Sequence, residues 1–186
     1  MIRALFLSIF LALIPATVMA ASAFPALTGR VVDAAHVLSA DTIRSLDEAL
    51  AAYENGTSNQ VVVATIPSLD GNSIDDYGYQ LGRHWGIGQK GKDNGALLIV
   101  APQERKVRIE VGYGLEPLLT DAASSQIINQ IILPDFRAGH MEDGIAQGTM
   151  AMLDVLGGKS LPVQHTSEQF SGVQMFLLFL FVLFAI

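Results

Sequence analysis

Two apolar stretches, one at each end, confine the foldable part of this 186-residue chain to its middle. Residues 1–20 carry one charge, Arg3, followed by an apolar run over residues 4–14, then Pro15 and small residues near position 20. This three-part pattern is typical of a secretory signal peptide, with cleavage after Ala20 or Ala23. The alternative is an uncleaved N-terminal anchor, for which the run is short, since a membrane span needs roughly 20 residues. The sequence therefore predicts a signal peptide over residues 1–23 and an exported, periplasmic or otherwise extracytoplasmic domain.

The second stretch, residues 173–186, is apolar except for Gln174. As a helix rising about 1.5 Å per residue it reaches roughly 21 Å, against a hydrocarbon core of about 30 Å, and counting from Phe170 lengthens it. It predicts a transmembrane helix over residues 170–186 that continues past the given sequence. The alternative is a C-terminal helix packed on the domain, which would need a polar face. The predicted order is an exported domain over residues 24–157, a polar linker over residues 158–169 with Pro162, and a membrane anchor.

Composition excludes several classes of function. Asp and Glu number 18 against 11 Lys and Arg, a formal net charge of -7, which argues against nucleic acid as a partner. The chain has no cysteine, hence no disulfide, thiolate metal site or cysteine nucleophile. Four widely separated histidines argue against a zinc site. The pairs Gly86-Ile-Gly88 and Gly112-Tyr-Gly114 lack a following Lys-Ser/Thr, which argues against a nucleotide site, and no serine-hydrolase or zinc-protease motif is present.

Alternating helical and strand patterns predict the fold class. Ser39, Ser73 and Thr120 have the character of helix N-caps, and the helix that begins after Thr120 is expected to end at Pro134. Residues 60–66 and 96–101 are apolar runs of strand length, residues 107–111 alternate as the second strand of a hairpin, and a last helix covers residues 142–156. The order helix, strand, helix, strand, strand, helix, helix predicts a helix-covered mixed sheet of the α/β class.

This order brings several loops to one edge of the sheet. The helix after Ser73 connects two strands that should be parallel, and the hairpin partner runs back to the edge where both begin. Residues 59–60, 86–95 and 112–116 and the helix start at Asp121 should therefore share this edge, here named the near rim. The opposite edge, the far rim, carries Ser68, Asp70, Asn72 and Glu104 and is where parallel α/β sheets usually bind ligands. The near rim is favoured as the site because it has more carboxylates and glycines.

Four near-rim residues, Asp93, Asn94, Glu116 and Asp121, carry the hard oxygen ligands that calcium or magnesium prefers, with Glu110 close by. No EF-hand spacing is present, so the fold would have to assemble the site. The alternative is that Asp93 and Asn94 form only a turn, Asp121 only caps a helix and Glu116 is only a solvated charge.

Four segments together resemble the TPM domain family: VVDAAHVLS at residues 31–39, WGIG at 85–88, DNGALLIV at 93–100, and VRIEVGYGLE at 107–116 with Asp121. The resemblance covers about residues 28–156. It implies a Rossmann-like α/β/α sandwich, divalent-cation binding with calcium in some members, a signal peptide and a C-terminal transmembrane helix. For plant members it also implies acid phosphatase activity.

Two functions from different classes remain open. The first is a membrane-anchored, divalent-cation-binding accessory module that assists or regulates a membrane protein complex. The second is a metal-dependent acid phosphatase acting on phosphate monoesters, with a rim carboxylate as general base. The first is favoured because a phosphatase usually shows a nucleophile or a cationic phosphate clamp.

Four further residues are interpreted from their surroundings. For Asp33 the favoured interpretation is an Asx-type turn into the first helix. The alternative is that its carboxylate is a ligand or a fixed hydrogen-bond acceptor in its loop. Arg108 should be an exposed strand arginine, although it could attract a phosphate. Trp85 and Tyr113 are expected to be packing residues.

Overall fold

The computed structural model describes residues 24–161. The predicted signal peptide, residues 162–169 of the predicted linker and the predicted transmembrane helix lie outside the described residues. Across residues 24–161, no helix combines the length and the apolar character that a membrane crossing requires.

Four strands and five α-helices make up this part of the chain. The strands are β1 (Val31–Asp33), β2 (Gln60–Thr65), β3 (Gly95–Ala101) and β4 (Lys106–Val111). The helices are α1 (Ala40–Thr57), α2 (Ile74–Trp85), α3 (Asp121–Ile127), α4 (Leu133–Ala138) and α5 (Met141–Leu156), with one turn of π-helix at Ile128–Ile132 between α3 and α4.

The strands form a single mixed sheet in the order β1-β2-β3-β4. β1, β2 and β3 are parallel, with Gln60 opposite Gly95, and β4 runs antiparallel to β3, with Ala96 opposite Val111. The predicted α/β class, the mixed sheet and the hairpin are therefore confirmed. β1 was not predicted, because three residues are too few to show a period; pairing with β2 holds its buried Val31 and Val32 in place.

Helices cover both faces of the sheet. On β2, Val61 and Val63 point to one face and pack with α1, α5 and the α3–α4 segment, whereas Val62 and Ala64 point to the other and pack with α2. Every residue of the central strand β3 is buried. The two crossover connections, β1-α1-β2 and β2-α2-β3, step in the same direction along the sheet, but α1 and α2 cover opposite faces. The two connections are therefore of opposite handedness. One of them is left-handed, against the strong right-handed preference of such connections.

The helix starts follow the predicted caps, but one helix end does not. The hydroxyl oxygens of Ser39, Ser73 and Thr120 accept hydrogen bonds from backbone N–H groups three residues on, at 3.0–3.2 Å. The prediction that Pro134 ends its helix is wrong. The π-helical turn precedes it, and Pro134 lies in the first turn of α4, where its missing N–H needs no partner. The helical path ends instead at Gly139, whose φ is +86°.

Candidate binding groove at the near rim

The loops expected at the near rim do meet there. The N–H of Gln60 donates to the carbonyl of Asn94 at 2.9 Å, that of Gly112 to Gly95 at 2.7 Å, and that of Gly114 to Asp93 at 3.0 Å. Backbone hydrogen bonds therefore join residues 59–60, 86–95 and 112–116 into one surface, as the strand order predicted.

Glycine at the near rim is required by contact between these loops. A Cβ added to Gly112 would lie 2.2 Å from the carbonyl oxygen of Asp93, and one added to Gly114 would lie 2.1 Å from that of Lys92. A Cβ at Gly95 would lie 2.6 Å from the carbonyl oxygen of Ile87. The sequence analysis counted these glycines in favour of a ligand site at the near rim; the structure shows that they let one loop backbone touch another.

A groove of about 800 Å³ opens on this surface between α2, residues 86–95 and the end of β4. Its floor includes Gly78 and Gly82 of α2, and a Cβ at Gly78 would lie 2.5 Å from Cδ1 of Ile99, so α2 packs tightly on the sheet there. Three carboxylate side chains line the groove, those of Asp93, Glu110 and Glu116.

The four predicted ligands have different surroundings. Asp93 and Glu116 are exposed and line the groove. Asn94 is buried, and its amide joins three loop positions: Nδ2 donates to the Ser58 carbonyl and to Asn59 Oδ1, and Oδ1 accepts from the Gln89 N–H. Asp121 is exposed in the first turn of α3 and is not among the groove-lining residues. The groove thus brings together Asp93, Glu116 and the neighbouring Glu110.

Among the described side chains, no three of the His, Cys, Asp or Glu type are grouped closely enough to hold a metal ion. A cation in the groove would therefore take carboxylates that turn toward it, completed by backbone carbonyls and water, as the six to eight oxygen ligands of calcium allow.

Arg108 is committed to the carboxylates around it. Its guanidinium contacts Asp75 at 3.0 Å and Glu110 at 2.8 Å. Burial lowers the pKa of Arg108, but the hydrogen bond and charge of Glu110, together with the charges of Asp75 and Asp121, outweigh burial and raise it. These contacts leave it poorly placed to capture a phosphate.

Asp33 is a hydrogen-bond acceptor in its loop. Its carboxylate accepts from the N–H groups of Val37 at 3.1 Å and Leu38 at 3.0 Å, and from the hydroxyl of Thr65. An Asx-type turn would use the N–H two residues on, but that N–H, of Ala35, donates to the hydroxyl oxygen of Thr65 at 3.1 Å. The favoured Asx-type turn is therefore wrong, and the alternative of a fixed hydrogen-bond acceptor in the loop is confirmed.

The two aromatic residues interpreted as packing residues behave differently. Trp85 packs against the α2-side core, and its indole N–H donates to the Pro25 carbonyl at 2.9 Å. For Tyr113 the interpretation is wrong: the side chain lines the groove and is 79% exposed.

The sequence interpretation also missed Tyr79 and Arg83 of α2 and Lys90 of the next loop, which line the groove beside Tyr113. The guanidinium of Arg83 donates to the hydroxyl of Tyr79 at 2.7 Å, one helical turn away. The available signal was spacing, since a Tyr and an Arg four residues apart, next to Gly78 and Gly82, share one exposed helix face.

Comparisons with known proteins agree with this architecture. A family model described as the TPM domain matches residues 31–155. The solution structure of the N-terminal domain of a protein from P. gingivalis is similar at 35% identity and a TM-score of 0.66, over 70% of this chain and 83% of that one. The search of curated proteins returned no match.

Two more distant solution structures share the fold. The BA42 protein of Bizionia argentinensis has 18% identity and a TM-score of 0.57, over 68% of this chain and 92% of that one. The N-terminal domain of the cg2496 protein of Corynebacterium glutamicum has 17% identity and a TM-score of 0.55, over 80% and 96%. With the family match over most of the described residues and the architecture above, the chain belongs to the TPM domain family.

Proposed function

We propose that this domain is a binding module that takes a divalent cation, calcium or magnesium, in the near-rim groove and presents that face to a membrane protein complex. The observation that carries the proposal is the convergence of Asp93, Glu110 and Glu116 from three segments onto one open groove. The predicted membrane anchor would keep the module beside its partner.

The chemistry of the donor set fits a hard cation. Carboxylates are preferred ligands of calcium and magnesium, and Asp93 and Glu116 are exposed and free to reorient. Backbone carbonyls lie close by, since the oxygens of Lys92 and Asp93 face the Gly112–Gly114 backbone. A bound cation would supply positive charge between like-charged loops and so stabilise their contact. Asn94, whose amide is engaged with neighbouring loops, is left out of the proposed ligand set.

Two exposed tyrosines support a protein partner at this face. Tyr79 is 58% exposed and Tyr113 is 79% exposed, and both line the groove. Tyrosine is enriched in protein interfaces because its ring offers apolar area at small entropic cost while its hydroxyl offers a hydrogen bond.

The test is thermal unfolding of residues 24–161 after EDTA treatment, with calcium or magnesium added back. The fragment is suited to this test because both hydrophobic clusters lie within it and the P. gingivalis relative was solved as an isolated domain. Ion at a hundred times its Kd should stabilise the fold by about 2.7 kcal/mol. For a domain of this size that corresponds to a rise in Tm of roughly 10 °C.

Matched variants locate the site. Asp93→Asn with Glu116→Gln should abolish the rise in Tm, and asparagine suits the left-handed backbone of Asp93, at a φ of +48°. Asp41→Asn, an exposed carboxylate of α1 outside the groove, should leave the rise unchanged. An absent rise at millimolar ion, or one that survives the double variant, would overturn the proposal. Hydrolysis of a phosphate monoester that needs both Asp93 and Asp121 would instead favour the phosphatase alternative.

A further inference from the structure

A second cavity, of about 590 Å³, lies at the far rim, where β3 ends and β4 begins. Leu133, Phe136 and Met141 of α4 and α5 give it a half-buried apolar wall. The exposed side chains of Arg105, Lys106 and Arg137 also line it, and its lining residues include no carboxylate. Positive charge thus borders an apolar cavity, in a chain whose net charge is -7.

The neighbouring carboxylates are engaged elsewhere. Glu104 accepts hydrogen bonds from the Ser68 hydroxyl and the Leu69 N–H. Asp135 accepts from the side chain of Gln147, and Glu142 accepts from the N-cap Ser39. The ion pairs found within residues 24–161 include none made by the three cations of the cavity. Hydrogen bonds from Leu69 and Ser68, helped by the charge of Lys106, lower the pKa of the nearby Glu104, so the attraction of the cavity for an anion comes chiefly from Arg105 and Arg137.

The backbone of Arg105 gives independent support. It closes the β3–β4 turn, its N–H donating to the Pro102 carbonyl at 3.2 Å, with a φ of +53°. Glycine or asparagine adopts this left-handed conformation more readily, so the turn would be more stable with one of them than with arginine at position 105. Strain retained at a residue that borders a cavity points to a role for its side chain.

The cavity also lies at the edge of the sheet where α/β folds usually bind ligands. β1, β2 and β3 are parallel, and the cavity borders Ala101 at the carboxyl end of β3. In sheets of this kind, ligands bind outside the carboxyl ends of the strands. Its volume is within the range of small-molecule sites, about 300–1,000 Å³.

We propose that this far-rim cavity binds a small organic anion with an apolar body. Arg105, Lys106 and Arg137 hold its carboxylate or phosphate group, for which the arginine fork is geometrically suited. The apolar body packs on Leu133, Phe136 and Met141. This site is separate from the near-rim groove and does not depend on the cation proposed there.

The test measures binding to residues 24–161 by calorimetry, with naphthoate as the anionic probe. Naphthylmethanol keeps the apolar body without the charge, and inorganic phosphate keeps a charge without the body. We expect naphthoate to bind about tenfold more tightly than either, because each lacks one half of the interaction. Equal affinity for naphthoate and naphthylmethanol would overturn the role of the cations.

Variants separate binding from stability. Arg105→Gly with Arg137→Gln should weaken naphthoate binding by about tenfold or more, since charge-assisted hydrogen bonds are lost. The Tm should not fall much, because glycine adopts the backbone of residue 105 without strain. Arg44→Gln with Lys159→Gln removes the same charge at exposed positions away from the cavity and should leave binding unchanged.

Three results would refute the proposal. One is no measurable naphthoate binding at millimolar probe by a folded fragment. Another is an equal loss of affinity in the Arg44/Lys159 control, which would show a nonspecific charge effect. The third is binding to vesicles of anionic phospholipid without binding to naphthoate, which would identify a membrane-surface contact instead.

Discussion

Replacing Asp33 by alanine tests whether this carboxylate stabilises the loop between β1 and α1. The side chain accepts hydrogen bonds from the N–H groups of Val37 and Leu38 and from the hydroxyl of Thr65. Thr65 is fully buried, so its hydroxyl would lose its acceptor away from water. β1 has only three residues, and the chain that leaves this edge strand is otherwise held by the N–H groups of Ala34 and Ala35, which donate to the carbonyl and hydroxyl oxygens of Thr65 at 3.1 Å.

The magnitude follows from these three contacts. A hydrogen bond to a charged group contributes about 1.5–3 kcal/mol, but Val37 and Leu38 are half-buried and water can partly replace the lost acceptor. We therefore expect Asp33→Ala to lower the free energy of unfolding by about 3 kcal/mol, equivalent to a fall in Tm of roughly 10 °C. Asp33→Asn should lose about half as much, because it keeps one acceptor oxygen.

The assay is urea and thermal unfolding of residues 24–161, followed by circular dichroism. Asp41→Ala is the matched control: its carboxylate is exposed on α1 and pairs only with Arg44, so it should cost less than about 1 kcal/mol. If Asp33→Ala is as stable as this control, the hydrogen bonds do not hold the loop and the reasoning fails.

Two further perturbations have definite expected outcomes in the same unfolding assay. Gly112→Ala should lower the free energy of unfolding by about 3 kcal/mol or more, because its Cβ would lie 2.2 Å from the Asp93 carbonyl oxygen. Gly56→Ala, in a helix with open space around it, should raise the free energy of unfolding by about 0.5–1 kcal/mol. Equal effects would contradict the loop contact. Hydrogen bonds from Ser39 hold the pKa of Glu142 below its ordinary value of 4.5, so this carboxylate stabilises the fold above that pH and the contribution is lost as pH falls through the lower folded value. Glu142→Gln should flatten this acid dependence, and an unchanged pH profile would refute the effect.

Sequence alone predicted the elements that depend on local chemistry. Ser39, Ser73 and Thr120 start their helices because a hydroxyl satisfies an N–H of the first turn wherever the helix lies in the fold. β2 and β3 were recognisable as continuous apolar runs because a strand buried on both faces does not alternate between apolar and polar residues.

The sequence analysis missed features that depend on contacts with the rest of the fold. β1 exists through pairing with β2, and its three residues show no period of their own. Pro134 stays within a helical path because a π-helical turn precedes it, and local rules for proline do not reveal that turn. Tyr113, an aromatic between two glycines, gave no sign of whether it faces the core or solvent.

The two candidate sites also differ in how much of each the sequence could predict. Strand order alone placed the near-rim loops on one edge, because parallel strands must begin together, and it therefore placed Asp93 and Glu116 on one surface. Only the tertiary structure decided that the Asn94 amide is engaged by other loops, since hydrogen-bond partners distant in sequence leave no local pattern. The far-rim cavity likewise joins a hairpin turn to Arg137 and Met141, more than thirty residues later, through the packing of helices against a strand end.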